Sequence, residues 1–187
     1  MNADFNVKKT FEIRLWAEWI FTFGWGLTTP IFKHSLNTIP VEILALAGIW
    51  VLMSSLSQKP LREKVSLKQL LWILIYTDLI YITGLVVFIS VHNLTYLLMF
   101  EIIFEGPYMA ILLASTSKLN IEYYNLFSKE EREKKDAYLK DISIKVKILA
   151  FIAGGILGYI TDSIFIAFSI KICVIILGVL IELRALK

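Results

Sequence analysis

Four ionisable residues lie inside long apolar stretches of this chain, where a charge is costly. Asp78 stands in LLWILIYTDLIYITG, Glu101 and Glu105 in YLLMFEIIFEGPYMAILL, and Lys171 in IFIAFSIKICVIILG. A charge at membrane depth is expensive, so such residues usually face a partner or a water-filled cavity. The carboxylates could bind a proton or a cationic group, with Lys171 as counter-charge. Alternatively, the four residues form ion pairs that only fix helix packing.

Two pairs of ionisable residues share a helix face because they are four residues apart. Glu101 and Glu105 form the first pair, and two carboxylates this close in a low dielectric cannot both ionise cheaply. One of the two should therefore hold a proton more tightly, as the site of a proton-coupled carrier would. Arg14 and Glu18 form a shallower pair, and both side chains can reach the membrane interface. This second pair is a solute-site candidate or a structural contact.

A Gly-Pro step directly follows the second carboxylate. Pro107 lacks a backbone N–H and therefore frees the carbonyl of Ile103. Such an interruption beside a carboxylate in an apolar segment is a pointer to a transport site, so Gly106 and Pro107 are predicted to form a hinge. A simple packing kink is the alternative. The tyrosines Tyr76, Tyr81 and Tyr108 either line a cavity or pack, and each hydroxyl needs a hydrogen-bond partner.

A row of small residues marks a later apolar segment. Ala150, Gly154 and Gly158 are spaced by four, so they form one smooth helix face. Small residues at this period let a second helix approach closely in a membrane. We expect these three residues to serve helix packing.

The chain has few of the residues that disulfides, metal centres or enzyme active sites need. One Cys and two His exclude a disulfide framework and leave little for a metal centre. No Ser–His or Cys–His arrangement and no paired-Asp phosphotransfer motif is visible. We therefore predict neither an enzyme, nor a cofactor, nor a metal site.

The elements that must position these residues are transmembrane helices. The 187 residues are 57% hydrophobic and 19% charged, and the mean hydropathy is +0.69. A helix needs about 20 mostly apolar residues to cross the hydrocarbon, and the apolar runs lack the period-2 alternation of strands. The sequence predicts an all-α membrane protein of one domain over residues 1–187. Its six predicted spans cover about residues 15–32, 40–56, 69–91, 94–116, 144–160 and 163–183.

One hydrophilic stretch separates the fourth and fifth spans. Its core, SKEEREKKDAYLKD, predicts a charged helix over about residues 128–142, with Ser128 and Glu131 as a capping box. Acids and bases are equal in number there, so the helix is a poor patch for nucleic acid or anionic lipid. A solvated cytoplasmic helix is the expected structure, and we predict no nucleic-acid partner.

The distribution of basic residues predicts the orientation. Positively charged residues stay cytoplasmic in short loops. All but two of the 19 Lys and Arg residues fall in the N-terminal flank, the loops after the second and fourth spans, and the C-terminal flank. The exceptions are Lys33 and Lys171. Both termini are therefore expected in the cytoplasm, which requires an even number of spans, and every copy should insert the same way up.

A family resemblance accompanies this pattern. The charged stretch that leads into a Gly-rich fifth helix and then an apolar sixth, KEEREKKDAYLKDISIKVKILAFIAGGILGYITDSIFIAFSI, resembles one six-helix half of a major facilitator superfamily transporter. In the loop after the second span, SSLSQKPLREKVSLKQL, Lys59, Arg62 and Lys64 match the basic character of the family's signature loop, whereas its Gly and Asp are absent. The resemblance implies two co-oriented halves, which a parallel homodimer of this chain would supply.

Two functions of different classes follow. The first is a half-size, proton-coupled carrier of a small or cationic solute, working as a homodimer in the bacterial inner membrane among membrane lipids. Its binding residues would be Asp78, Glu101 and Glu105. The second is a non-transporting interaction protein, such as an immunity or regulatory protein for an intramembrane partner. The missing loop signature favours this alternative.

Overall fold

A computed structural model describes residues 6–36, 41–161 and 163–186 as an assembly of helices. It contains no strand within these residues, so the predicted all-α class is confirmed. The helices are α1 (Val7–Leu36), α2 (Val41–Leu56), α3 (Gln58–Lys64), α4 (Leu67–Val91), α5 (Leu94–Tyr124), α6 (Lys129–Thr161) and α7 (Ile164–Ala185).

Four of these helices are long and apolar enough to cross a membrane. Among the described residues they are Leu67–Val91, Thr95–Tyr124, Lys129–Thr161 and Ile164–Arg184. The chain is therefore consistent with an integral membrane protein. The first two predicted spans are helical but fit less well. The 16 residues of α2 reach about 24 Å, less than the roughly 30 Å of the hydrocarbon core, and α1 carries several charged residues in its first half.

The predicted charged helix and fifth span are one continuous helix, α6. It begins with the predicted capping box, in which the Glu131 backbone N–H donates to Ser128 Oγ at 3.4 Å and the Ser128 backbone N–H donates to Glu131 Oε2 at 3.0 Å. Lys145 Nζ pairs with Asp141 Oδ2 at 2.6 Å across the expected boundary. No Gly or Pro interrupts that stretch, so nothing in the sequence ends the helix there.

The chain divides into two compact units. Unit 1 comprises Met1–Lys33 and Leu119–Lys187, and unit 2 comprises His34–Lys118. Unit 1 thus contains most of α1, the end of α5, and all of α6 and α7. Unit 2 contains α2, α3, α4 and the larger part of α5.

In unit 1, α1 packs closely against α6 through glycines. A Cβ atom placed on Gly154 would overlap the carbonyl oxygen of Phe23, and one placed on Gly158 would overlap that of Leu27. A Cβ on Gly26 of α1 would overlap the carbonyl oxygen of Phe151. The contacts Glu18–Lys147, Phe23–Gly154 and Leu27–Gly158 advance along both helices together, so α1 and α6 run parallel.

The same helix α1 packs antiparallel to α7. Gly24 faces Val174, with a Cβ-to-Cγ1 separation of 3.3 Å, and Gly178 lies under the ring of Phe21. Arg14 pairs with Glu182 further along both helices. The start of α1, the charged start of α6 and the end of α7 therefore lie at the same end of unit 1.

In unit 2, α4 and α5 form an antiparallel pair, in which the ring of Tyr81 stacks on that of Phe104. Gly84 lies under the ring of Phe100, which lets the two helices approach closely. The short helix α3 is held against the end of α5. Lys118 Nζ donates to the carbonyl oxygens of Arg62 and Val65, at 3.0 Å and 2.7 Å, and so caps the C-terminus of α3.

Candidate functional site

An acidic-aromatic cluster lies between α4 and α5 in unit 2. We define it as Asp78, Tyr81, Glu101, Glu105 and Tyr108. The Tyr81 hydroxyl donates to Glu101 Oε1 at 2.6 Å. Glu105 and Tyr108 follow Glu101 on α5 at spacings of four and seven residues, so they share its helix face. The buried Tyr81 hydroxyl has the partner that its mid-helix position requires.

Asp78 occupies the same face of α4 as Tyr81, because the two residues are three positions apart. It is 2% exposed. The antiparallel register that pairs Gly84 with Phe100, and Tyr81 with Phe104, places Asp78 level with the Gly106–Pro107 step of α5. The three predicted carboxylates are therefore brought to one helix pair, within about two turns of one another.

A ladder of four stacked rings runs along α5 beside the carboxylates. We call Tyr96, Phe100, Phe104 and Tyr108 the aromatic ladder. Successive ring centroids are 6.1, 5.4 and 5.8 Å apart, and the ring of Tyr81 stacks on Phe100 and Phe104 from α4. Phe100 and Phe104 were not predicted as part of the site. The signal was present in their spacing, because aromatic residues four apart share one helix face.

The predicted hinge at Gly106 and Pro107 lies within a continuous helix, since α5 runs through it. The carbonyl of Ile103, which Pro107 leaves without its usual donor, accepts a hydrogen bond from Trp50 Nε1 of α2 at 3.2 Å. A Cβ on Gly106 would lie 2.6 Å from both Trp50 Nε1 and Ser54 Oγ. Gly106 therefore makes room for the indole that satisfies the freed carbonyl. Hinge motion stays a prediction.

Replacing Trp50 with phenylalanine should destabilise the protein by about 0.5–1.5 kcal/mol, because the Ile103 carbonyl loses its donor. Pro107→Ala should reduce this cost, since it restores a backbone N–H that can donate to the Ile103 carbonyl. Thermal unfolding of both single variants and the double variant measures the coupling. Trp72→Phe, another exposed tryptophan in the same unit, is the control. Strictly additive effects of Trp50→Phe and Pro107→Ala would contradict the assignment.

The predicted residues of unit 1 have different partners from those of unit 2. Arg14 forms a buried ion pair with Glu182 of α7, and their side chains are 4% and 6% exposed. Glu18 pairs instead with Lys147 of α6 at 2.8 Å, in a more exposed setting. The neighbours Arg14 and Glu18 thus tie α1 to two different helices. Glu182 and Lys147 were not predicted as partners, since spacing along a chain says nothing about partners on distant helices.

Lys171 is buried in unit 1 among aromatic rings. It is 1% exposed, and its Nζ lies 4.7 Å from the ring centroid of Trp25 and 5.4 Å from that of Phe168. A desolvated ammonium over an aromatic face is stabilised by the ring quadrupole. This lysine and the carboxylates of the cluster belong to different units, so its predicted role as their counter-charge stays a prediction.

Among the described residues, no group of three or more His, Cys, Asp or Glu side chains could hold a metal ion. The acidic-aromatic cluster and the aromatic ladder of unit 2 are suited to a different kind of ligand. They hold carboxylates beside a phenol and a row of aromatic faces, a set of groups suited to a proton or an organic cation. No family model matches the sequence, and comparison with curated proteins and with solved structures gives no significant match.

Proposed function

We propose that this protein is a half-size membrane carrier that couples proton binding at the acidic-aromatic cluster to movement of a small or cationic solute. The observation that carries the proposal is the contact of Tyr81 with Glu101 beside the buried Asp78. Carboxylates are rarely placed inside apolar helices unless they serve a partner or a pathway. Here they are grouped on one helix pair.

The coupling would use the charge of Glu101. When Glu101 is ionised, the Tyr81 hydroxyl donates a charge-assisted hydrogen bond to it and holds α4 against α5. Protonation removes that charge, weakens the contact and lowers the cost of exposing the carboxyl to hydrocarbon. The proton would thereby shift the population between two arrangements of the helices. The aromatic ladder would offer ring faces to an organic cation.

The proposed membrane arrangement has six spans, with α1 and α2 joining the four apolar helices. In unit 1, the starts of α1 and α6 and the end of α7 share one end, as an even-numbered topology with both termini on one side requires. The basic residues would place that end in the cytoplasm. A parallel homodimer in the bacterial inner membrane would then supply the two co-oriented halves of a major facilitator-like carrier.

Transport by purified protein in liposomes tests the proposal. With an imposed pH gradient, wild-type protein should drive gradient-dependent flux of an organic cation such as tetraphenylphosphonium or ethidium. Glu101→Gln and Asp78→Asn should each lower that flux by about tenfold or more, in the range of losses seen when a proton-transfer group is removed. The matched control is Glu130→Gln, which removes an exposed carboxylate from the charged start of α6.

Undiminished flux in both Glu101→Gln and Asp78→Asn would contradict the proposed role of the carboxylates. Thermal unfolding of each variant, measured beside the flux, separates a lost site from a lost fold. Tyr81→Phe is the finer variant, because it removes one hydroxyl and keeps the ring. We expect it to change the pH dependence of transport more than the maximal rate.

A second candidate is the non-transporting interaction protein. The observation that favours it is in unit 1, where the two basic residues in apolar surroundings, Arg14 and Lys171, are engaged by Glu182 and Trp25. Such contacts fix helix packing without any solute. Wild-type protein that carries no tested cation under any pH gradient would favour this candidate.

A further inference from the structure

A groove lies between the first turns of α1 and the last turns of α7 in unit 1. Its volume is about 480 Å³, and it is lined by Lys9, Ile13, Trp16, Ile181 and Arg184. Lys9, Ile13 and Trp16 follow one another at helical spacing on α1, while Ile181 and Arg184 are about one turn apart on α7. None of these lining residues is acidic.

The groove has a basic mouth and an apolar wall. Lys9 and Arg184 lie nearest the ends of their helices, and both side chains are exposed. Ile13, Ile181 and Trp16 lie deeper along α1 and α7, and Trp16 is 60% exposed. The closest carboxylate in the sequence of α7, Glu182, is engaged by Arg14. Both cations therefore line the end of the groove at which α7 also ends.

We propose that this groove binds an anionic phospholipid, with the phosphate of the headgroup between Lys9 and Arg184 and an acyl chain along Ile13, Ile181 and Trp16. Basic pockets between membrane helices at the cytoplasmic side recognise anionic headgroups. Tryptophan favours the same membrane–water interface, because its ring is apolar and its N–H is polar. Arg184 can present two N–H donors to phosphate oxygens, and Lys9 adds a point charge.

The charge pattern distinguishes this ligand from others. A zwitterionic phospholipid would satisfy the apolar wall equally well but would add its own cation beside Lys9 and Arg184. Free phosphate would satisfy the two cations but make no contact with the apolar side chains of Ile13, Trp16 and Ile181. Only an anionic lipid matches both halves of the groove.

Lipid titration of the purified full-length protein tests the proposal. Phosphatidylglycerol and phosphatidylcholine with identical acyl chains are added to protein in neutral detergent, and bound lipid is counted by native mass spectrometry. Wild-type protein should bind phosphatidylglycerol about tenfold or more tightly than phosphatidylcholine. Lys9→Gln/Arg184→Gln should weaken phosphatidylglycerol binding roughly 30-fold, the factor expected for two basic residues at an anionic surface.

Two further variants make the result specific to the groove. Lys8→Gln/Lys129→Gln removes the same charge from the same end of unit 1 outside the groove, and should change binding less than threefold. Trp16→Ala removes apolar wall without charge, and should weaken both lipids by similar factors. Equal binding of the two lipids by wild-type protein, an equal loss in the control pair, or full competition by inorganic phosphate would each overturn the proposal.

Discussion

Alanine at Gly154 or Gly158 is expected to destabilise the protein by about 2–3 kcal/mol each, because the added methyl group would meet backbone of α1. At Gly154 the methyl would overlap the Phe23 carbonyl oxygen and lie 2.8 Å from the Leu27 nitrogen. At Gly158 it would overlap the Leu27 carbonyl oxygen. Overpacking of a tight contact costs roughly 1–3 kcal/mol, and backbone cannot rotate aside as a side chain can.

The neighbouring Gly155 supplies the control for this steric argument. A Cβ there would lie 3.7 Å from the Gly26 carbonyl oxygen, which is ordinary van der Waals contact. Gly155→Ala should therefore leave stability unchanged or raise it by up to about 1 kcal/mol, since alanine favours the helix. Thermal unfolding in one detergent compares the three variants. Equal melting temperatures for Gly154→Ala and Gly155→Ala would contradict the close approach of α1 to α6.

The sequence predicted the small-residue face of α6 but not what it packs against. A spacing of four shows that Ala150, Gly154 and Gly158 share a face, whatever the partner. The partner surface on α1 consists of Gly26 and two backbone carbonyls. Because every residue has a backbone carbonyl, the sequence cannot show which of them a second helix contacts. For the same reason, the donor to the Ile103 carbonyl could not be named from the sequence, although Pro107 showed that this carbonyl would need one.

Helix identity was easier to predict than helix ends or span number. The apolar runs of α4, α5 and α7 carry a strong local signal, and each matches a predicted span. The start of α6 and the turns of α1 before residue 15 are charged, and they were predicted to flank the membrane spans. Helical hydrogen bonds do not require an apolar environment, and both helices continue through these charged turns. Apolarity sets where a helix can cross a membrane, whereas capping and Gly or Pro residues set where it ends.

The residues of the acidic-aromatic cluster could be selected from the sequence one by one, but their common location could not. Asp78, Glu101 and Glu105 were identified because a carboxylate inside an apolar run is unusual. Their common location needed the antiparallel register of α4 and α5, which depends on packing at Gly84 and Phe100. The tyrosine that binds Glu101 was one of three with an expected but unknown hydrogen-bond partner. A carboxylate in an apolar run can be recognised from one segment of the sequence. A contact between side chains depends on two segments and on how they pack.

The buried pair of Arg14 and Glu182 is expected to give the largest single-residue effects on stability. Removing one partner, by Arg14→Met or Glu182→Met, should cost about 3–5 kcal/mol, because the other partner loses its neutralising charge in a buried site. The double variant Arg14→Met/Glu182→Met should recover most of that loss, since two apolar side chains of similar length need no charge partner. Unfolding free energies of the four proteins form the double-mutant cycle.

The pair of Glu18 and Lys147 tests whether burial, rather than the ionic contact itself, sets that cost. Its Nζ-to-Oε2 distance is 2.8 Å, but the side chain of Lys147 is 40% exposed and that of Glu18 is 17% exposed. Glu18→Gln and Lys147→Gln should each cost at most about 1 kcal/mol, because water solvates whichever charge is left. Comparable losses at the two pairs would show that Arg14 and Glu182 are not sealed from solvent. If the loss of stability is larger at the Arg14–Glu182 pair than at the Glu18–Lys147 pair, and the double variant recovers it, the buried ion pair is the contact that fixes α1 against α7.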